Sequence, residues 1–569
     1  MVSRKASSIV TGASIISLGM LLSRLLGLVR ENLMFHTFGD SNIAGAYNLA
    51  FVTPDLFYNL LAGGAMSAAF IPIFTSYLTN GKDKEAHETG STIATLLLVA
   101  MTVCVLICII FAPQFIGLLQ LLQPPDRHLR AEDLRLTVSL MRIMCVMLIF
   151  TAQSGHFTGI LNSYKHFLTP VMVWLVYNLS IIVGILCCRL PIFGGSVSAP
   201  NIHTVAYSVV AGSVLLAAIQ YPVALRYGFR LKFAFDLAHE GVRKVLKLFL
   251  PVMVSLALSQ INLLMLPLVL GTYFGLPAVT DIRAANRLVL LPLGLFAIAI
   301  STAAFPKLAE LAAHGETVPF RATLAQSMKF ILLLSLPSVA ILFVLAEPIT
   351  YLLWGGGKFG QDGVRASAFV LMFFSWGLLA LGLVQVVNRA YYAMHDMITP
   401  TVIGVSMVVC NFALSIYLAH HASGMRYASV AFATTITTTL STILLTLLMR
   451  RRLGGGGRIM TVMALKTCLA TVVMGVVLFG VAHLLAPTFA GAHLGPAFRW
   501  PAPDVPYDLD AATIASVHVP RLPLIFQVGG SILCGGLAYV GMLKLLKVKE
   551  LTAIADRLLR RKASIPTTA

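Results

Sequence analysis

Charge is what this sequence has least of. Of 569 residues only 11% are charged, while 58% are hydrophobic and the mean hydropathy is +0.87. Soluble domains carry about 25% charged residues, so an ordinary soluble fold is excluded and a polytopic membrane protein is implied. Carboxylates are scarcer still, with 22 Asp and Glu against 41 Lys and Arg. Paired carboxylates, a zinc-ligand signature and a phosphate-cradling glycine loop are all missing, so no enzyme constellation stands out and neither metal nor cofactor is expected. The eight cysteines (Cys104, Cys108, Cys145, Cys187, Cys188, Cys410, Cys468 and Cys534) all fall in apolar segments. None has C-x-x-C spacing, which excludes a metal framework and implies no disulfide scaffold. The Gly454–Gly457 run lies in a loop and reads as a flexible link. The formal charge of +19 does not point to nucleic acid, because no basic stripe with interleaved aromatics occurs. Cytoplasmic loops and a site for an anion account for it better.

What is present is a succession of apolar runs long enough to span a bilayer, about fourteen, from Ile9–Phe38 to Leu524–Leu546. The fold class is therefore an all-α polytopic membrane protein. The first run follows Arg4 and Lys5 as a signal peptide would. It is too long for such a peptide's apolar region and lacks a clear cleavage site, so it reads as a retained first helix. Lysine and arginine set the orientation. With both termini cytoplasmic, roughly 27 basic residues fall inside and about 9 outside. The proline-rich stretch Ala486–Pro523, with Asp504, Asp508 and Asp510, is then an irregular periplasmic loop.

An internal repeat divides the chain. AMSAAFIP ending at Pro72 resembles ISTAAFP ending at Pro306, APQFIGLL around Pro113 resembles EPITYLL around Pro348, and NSYKHFLTP ending at Pro170 resembles YAMHDMITP ending at Pro400. The offsets are 234, 235 and 230 residues, one period held at three places. They relate segments 1–6 to segments 7–12 as parallel repeats about an axis along the membrane normal, with a cavity between the two lobes. The expected division is a first lobe at 1–226, a second at 227–452, and two further helices with a loop and tail at 453–569.

Charges inside the apolar runs are the candidate site. The stretch Ser23–Asn32, SRLLGLVREN, places Arg24, Arg30 and Glu31 within the first run. An arginine at a membrane helix centre costs roughly 2.5–3.5 kcal/mol on insertion scales, so these groups must face water, a counter-charge or an anionic ligand. Alternatively Glu31 neutralises one arginine and the cluster is structural, or the arginines snorkel to the interface. In the eighth run, Arg283 and Arg287 stand four apart on one helix face, with Asp281 and Asn286 nearby. Arg283 fits either an interfacial anchor or a cavity residue. Arg287 lies deeper and fits the cavity. Lining it together, Arg24, Arg30 and Arg287 make a net-positive pocket whose planar forks suit phosphate. Asn178, Asn262, Asn388, Asn411 and Gln260 are read as interhelical hydrogen-bonding residues. Pro54, Pro72, Pro251, Pro267, Pro292 and Pro337 are candidate kinks.

These residues resemble the MurJ or MviN family of lipid II flippases, within the multidrug/oligosaccharidyl-lipid/polysaccharide exporter superfamily. The carriers are SRLLGLVRE (23–31), PDLFYNLLAGGAMSAAFIP (54–72), GILNSYKHFLTP (159–170), SQINLL (259–264), ANRLVLLPLGLF (285–296), GGGKF (355–359) and NRAYYAMHDMITP (388–400). The resemblance implies fourteen helices, two lobes, and a cationic cavity for a lipid-linked diphosphate in which Arg24, Arg30 and Arg287 are the essential arginines. It also implies a groove for the polyprenyl tail on the last two helices. The chain departs from the family's pattern at three places. Tyr58 and Asn59 stand where an arginine is usual, Gly63 where an acid is usual, and Asn286 where the family has aspartate. Arg283 is the candidate to supply the missing charge, with Asn59 at the altered position.

The expected function is translocation of lipid II, an undecaprenyl-diphosphate-linked disaccharide peptide, from the cytoplasmic to the periplasmic leaflet of the bacterial inner membrane by alternating access. Membrane lipids are the other expected partner; nucleic acid is not one. The alternatives are export of another polyprenyl-linked saccharide, or cation-coupled drug export. The latter should show buried carboxylates where this chain shows arginines. A membrane glycosyl- or phosphotransferase would need acidic metal ligands beside the membrane, and Asp504, Asp508 and Asp510 match no such motif. A scaffold would not explain the buried arginines.

Overall fold

The computed structural model of the chain describes residues 19, 22–60, 66–120, 129–247, 249, 266–421, 423–425, 427–454, 457–488 and 521–548. Among these there is no β-strand, as the bilayer demands of a chain that is not a closed barrel: only a helix satisfies its own backbone in hydrocarbon. In chain order the helices are α1 (22–38), α2 (Asn42–Leu60), α3 (Met66–Thr79), α4 (Asp83–Gln120), α5 (Ala131–Cys145), α6 (Met147–Ser163), α7 (Leu168–Cys187), α8 (Ile202–Arg226), α9 (240–247) and α10 (Leu266–Gly271). There follow α11 (Leu276–Pro292), α12 (Ala299–Ala313), α13 (Thr317–Val344), α14 (Ala346–Trp354), α15 (Gln361–Ala393), α16 (Ile398–His421), α17 (Ala428–Leu453), α18 (Gly457–Thr488) and α19 (Arg521–Leu545).

Eleven stretches among the described residues are long and apolar enough to cross a membrane, which makes this a multi-pass membrane protein. The first and seventh expected segments fall partly outside the described residues. The second, expected as one run over Asn42–Leu78, is α2 and α3, with residues 61–65 between them outside the description. The loop Ala486–Pro523 and the C-terminal tail lie almost wholly outside it, as do Pro251, Gln260, Asn262 and Gly63. Pro54, Pro72 and Pro337 sit inside helices. At Pro292 the α-helix gives way to a π-turn over Leu293–Ile298. A proline has no N–H for the ladder, and a π-turn is one way a helix absorbs such a break.

The chain forms two compact units, Met1–Thr280 with Gly357–Phe359, and Asp281–Gly356 with Gly360–Ala569. Their internal packing follows one scheme. In the first unit α3 packs on α4 and α6, α4 on α6, α6 on α8, and α7 on α8. In the second α12 packs on α13 and α15, α13 on α15, α15 on α17, and α16 on α17. Helices α18 and α19 stand outside this scheme. They pack on each other, with Gly535 close against Leu478, and α18 lies along α13. Tyr539 of α19 donates to Leu333 O at 2.8 Å.

The turns repeat as well. Lys165 after α6 and His395 after α15 both adopt left-handed backbone, φ 61° and 58°. The same pair of bonds closes each: Lys165 N to Asn162 O and His166 N to Leu161 O, then His395 N to Tyr392 O and Asp396 N to Tyr391 O. This is the Schellman pattern. Gly81 after α3 and Gly315 after α12, at φ 69° and 70°, form a second such pair.

The side chains that lock these turns differ. In the first unit His166 bonds Thr169 Oγ1 at 2.7 Å and Tyr227 Oη at 3.2 Å. In the second, Asp396 accepts from Thr399 N (3.0 Å) and Thr399 Oγ1 (2.7 Å), and pairs with Arg452 at the end of α17. Burial alone would raise the Asp396 carboxyl, but the bonds from Thr399 and the Arg452 guanidinium outweigh it and hold it below its usual value. A depressed carboxyl stabilises the fold above its unfolded titration near pH ~3.9, and that contribution is lost as pH falls through the folded value. We therefore expect the gap in apparent Tm between wild type and Asp396→Asn to narrow below about pH 4. A gap that does not change with pH contradicts this coupling.

The GGGKF stretch does more than turn the chain. Gly357–Phe359 belong to the first unit. Lys358 N donates to His36 O at 3.1 Å, and the Phe35 and Phe359 rings lie 5.0 Å apart. Gly357 has φ +61°, and a Cβ there would lie 2.3 Å from His36 O. Gly357→Ala combines that clash with a backbone strain on the order of 1–3 kcal/mol. A clear fall in apparent Tm of the purified protein is expected; an unchanged Tm would mean that this contact is not held in solution.

Candidate functional site

In the first unit Arg30 is the centre of a polar cluster. Its Nη2 lies 2.6 Å from Glu31 Oε1, and its Nη1 donates to Asn178 Oδ1 at 3.1 Å. Asn178 belongs to α7, and its Nδ2 donates to Trp174 O at 3.0 Å and to Ser23 Oγ at 3.4 Å. Those bonds turn the amide oxygen toward the guanidinium. The polar residue expected to bond between helices does so, and its partner is the arginine. Glu31 is buried, and the Arg30 side chain keeps 16% of its surface exposed. Neighbouring Glu31 and Asn178 thus fix the fork's plane. Arg24 is exposed on α1. Six residues on an α-helix turn through about 600°, so Arg24 and Arg30 do not share a face.

In the second unit Arg283 and Arg287 lie on α11, one turn apart. Arg283 is only 6% exposed, whereas an interfacial anchor keeps its head in water. Arg287 is half-buried. Asp281 is buried and accepts from Ser367 Oγ of α15 at 3.1 Å and from Tyr427 Oη, just before α17, at 3.2 Å. These two partners are 86 and 146 residues away, and nothing in the local sequence announces them. Asn286 is buried. Asn411 of α16 stands 233 residues after Asn178 and bonds Thr434 Oγ1 of α17 at 3.2 Å. Corresponding helices thus carry an amide that meets a cation in one unit and a hydroxyl in the other. Tyr58 and Asn59 lie in the last turn of α2, with side chains outside the description. Among the described residues, no three His, Cys, Asp or Glu side chains gather as metal ligands.

A multi-pass helical chain in which one packing scheme occurs twice, with buried charges held by polar partners inside its spans, is the architecture of a membrane transporter. The family model for lipid II flippase MurJ matches residues 34–495, and the chain belongs to that family. Among its relatives, a probable lipid II flippase MurJ of Buchnera aphidicola subsp. Acyrthosiphon pisum is 27% identical over 485 residues, covering 85% of this chain and 92% of that protein. The lipid II flippase MurJ of Burkholderia cenocepacia is 27% identical over 397 residues, covering 68% and 74%. The fold is similar to a solved lipid II flippase MurJ in an inward closed conformation (TM-score 0.71, 21% identity, 93% and 98% covered). It is more distantly similar to an inward-facing multidrug resistance MATE transporter (TM-score 0.62, 14% identity, 78% and 98% covered).

Proposed function

We propose that this chain is a lipid II flippase of the bacterial inner membrane. It moves the undecaprenyl-diphosphate-linked disaccharide peptide from the cytoplasmic to the periplasmic leaflet. The observation that carries the reading, beside family membership, is the Arg30 fork held by Glu31 and Asn178 inside a membrane unit. A planar guanidinium with fixed orientation suits a diphosphate. Arg24, Arg30 and Glu31 in the first unit and Arg283 and Arg287 in the second are the residues proposed to take the head group. No bond is made or broken, and the mechanism is alternating access between lobes at 1–226 and 227–452. The basic loops support cytoplasmic termini. The exposed apolar residues of α18 and α19, such as Val476 and Leu537, suit the polyprenyl tail, with membrane lipids around them.

The likeness to a MATE fold makes drug export the second reading. A cationic drug needs carboxylates, and among the described residues Glu31 and Asp281 are the only buried acids; both already hold partners. Purified protein in proteoliposomes decides between them. Labelled lipid II should become accessible on the far leaflet, and ethidium should not cross. Ethidium transport without lipid II transport would reverse the assignment.

Asn59 occupies the position where the family supplies positive charge, and Arg283 is proposed to compensate. Arg283→Ala should then impair transport, and Asn59→Arg should partly rescue it, so a double-mutant cycle should show coupling. Additive effects would remove Arg283 from the site.

A further inference from the structure

The segment joining α8 to α9 is an ordered strap. Residues 229–236 are not helical, yet their backbone is held by two hydroxyls of α4. Ser91 Oγ donates to Arg230 O (3.3 Å) and accepts from Lys232 N (3.4 Å), and Thr95 Oγ1 accepts from Ala234 N (3.2 Å). Phe229 pins the start of the strap in the unit's buried aromatic cluster, against His87. Beyond it large apolar side chains occupy every second position. Leu231, Phe233, Phe235 and Leu237 are 42, 78, 58 and 48% exposed; Lys232, Ala234 and Asp236 lie between them, and Arg230 precedes them. Apolar groups of this size in a row are not left facing water without cause.

Two independent markers give the level of the strap. It leaves α8 at Arg226, where that span ends. It then lies on α4 at Ser91 and Thr95, where the polar start DKEAHETGST passes into an apolar run beginning at Ile93. Both put it at the boundary between water and hydrocarbon. Residues 226–247 carry six basic side chains against two acidic ones. We propose that the strap is a lipid-binding surface whose apolar side chains enter the acyl boundary while Arg230 and Lys232 take the headgroups of anionic phospholipids. Apolar burial in the interface combined with basic side chains at headgroup level is the physics of a surface anchor. This inference does not depend on what the protein transports.

The test uses the full chain in bilayers. Phe233→trifluoromethylphenylalanine gives one fluorine reporter, observed in nanodiscs of phosphatidylcholine with phosphatidylglycerol. Relaxation is measured with nitroxide on carbon 5 of either lipid, and with a water-soluble gadolinium chelate. The reporter should relax with both lipid labels, more strongly with labelled phosphatidylglycerol, and little with gadolinium. Arg230→Gln with Lys232→Gln should remove the preference, which is expected at up to roughly fivefold per basic residue. Relaxation by gadolinium alone would show a strap in water and overturn the proposal. Protection from all three agents would mean that protein covers the face, and equal relaxation by the two lipids would remove the anionic partner; either result also overturns it.

Discussion

Arg30→Ala and Arg287→Ala are each expected to abolish growth of a flippase-depleted host at normal expression, with translocation reduced at least about 100-fold, the scale of losing a positioned charged contact. The two sites differ in what else the change does. Removing the Arg30 guanidinium takes away the cation paired with buried Glu31. Breaking one side of such a pair costs on the order of 3–5 kcal/mol, so Arg30→Ala should also lower the apparent Tm. Arg30→Lys separates the roles. Lysine keeps the charge beside Glu31 but loses the planar fork. We expect a Tm close to wild type with translocation still strongly impaired. Full activity in Arg30→Lys would mean that charge alone suffices there, and full activity in Arg287→Ala would take that residue out of transport.

Asp281→Ala should be the most destabilising single change in the second unit. The carboxylate is 1% exposed and receives a hydroxyl from α15 and another from Tyr427. Its loss removes the carboxylate that both hydroxyls donate to and a negative charge two residues from the buried Arg283. Hydrogen bonds to a charged group are worth about 1.5–3 kcal/mol each. The variant should therefore lose several times more stability than Ser367→Ala or Tyr427→Phe, each of which deletes one donor. Thermal unfolding of the three purified variants measures this. An Asp281→Ala protein as stable as wild type would show that the network does not anchor α11.

Much of the fold was legible because hydropathy reports burial in lipid directly, and a bilayer leaves helix as the main way to satisfy the backbone. The prolines at 72 and 306, and at 170 and 400, marked turns and helices that do recur in the two units. Asn178 was legible as an interhelical bond, because an amide at membrane depth needs a partner. Its choice of Arg30, 148 residues away, was not. Nor were the partners of Asp281, since a hydroxyl on a distant helix leaves no local signal. That Arg24 is exposed while Arg30 is held against α7 depends on helix azimuth and on a distant partner, neither of which the local sequence states. The strap at 229–236 lies in a stretch of sequence with six basic residues between positions 226 and 247. Its alternation was in the sequence, but only the hydroxyls of Ser91 and Thr95 reveal that it is held along α4.

The most direct test of the account is the leaflet distribution of lipid II in the host when this protein is depleted. Lipid II should build up in the cytoplasmic leaflet, its exposure on the periplasmic face should fall, and re-expression of wild type but not of Arg30→Lys should restore it. Unchanged periplasmic exposure under full depletion, in a host with no other flippase active, would contradict the account.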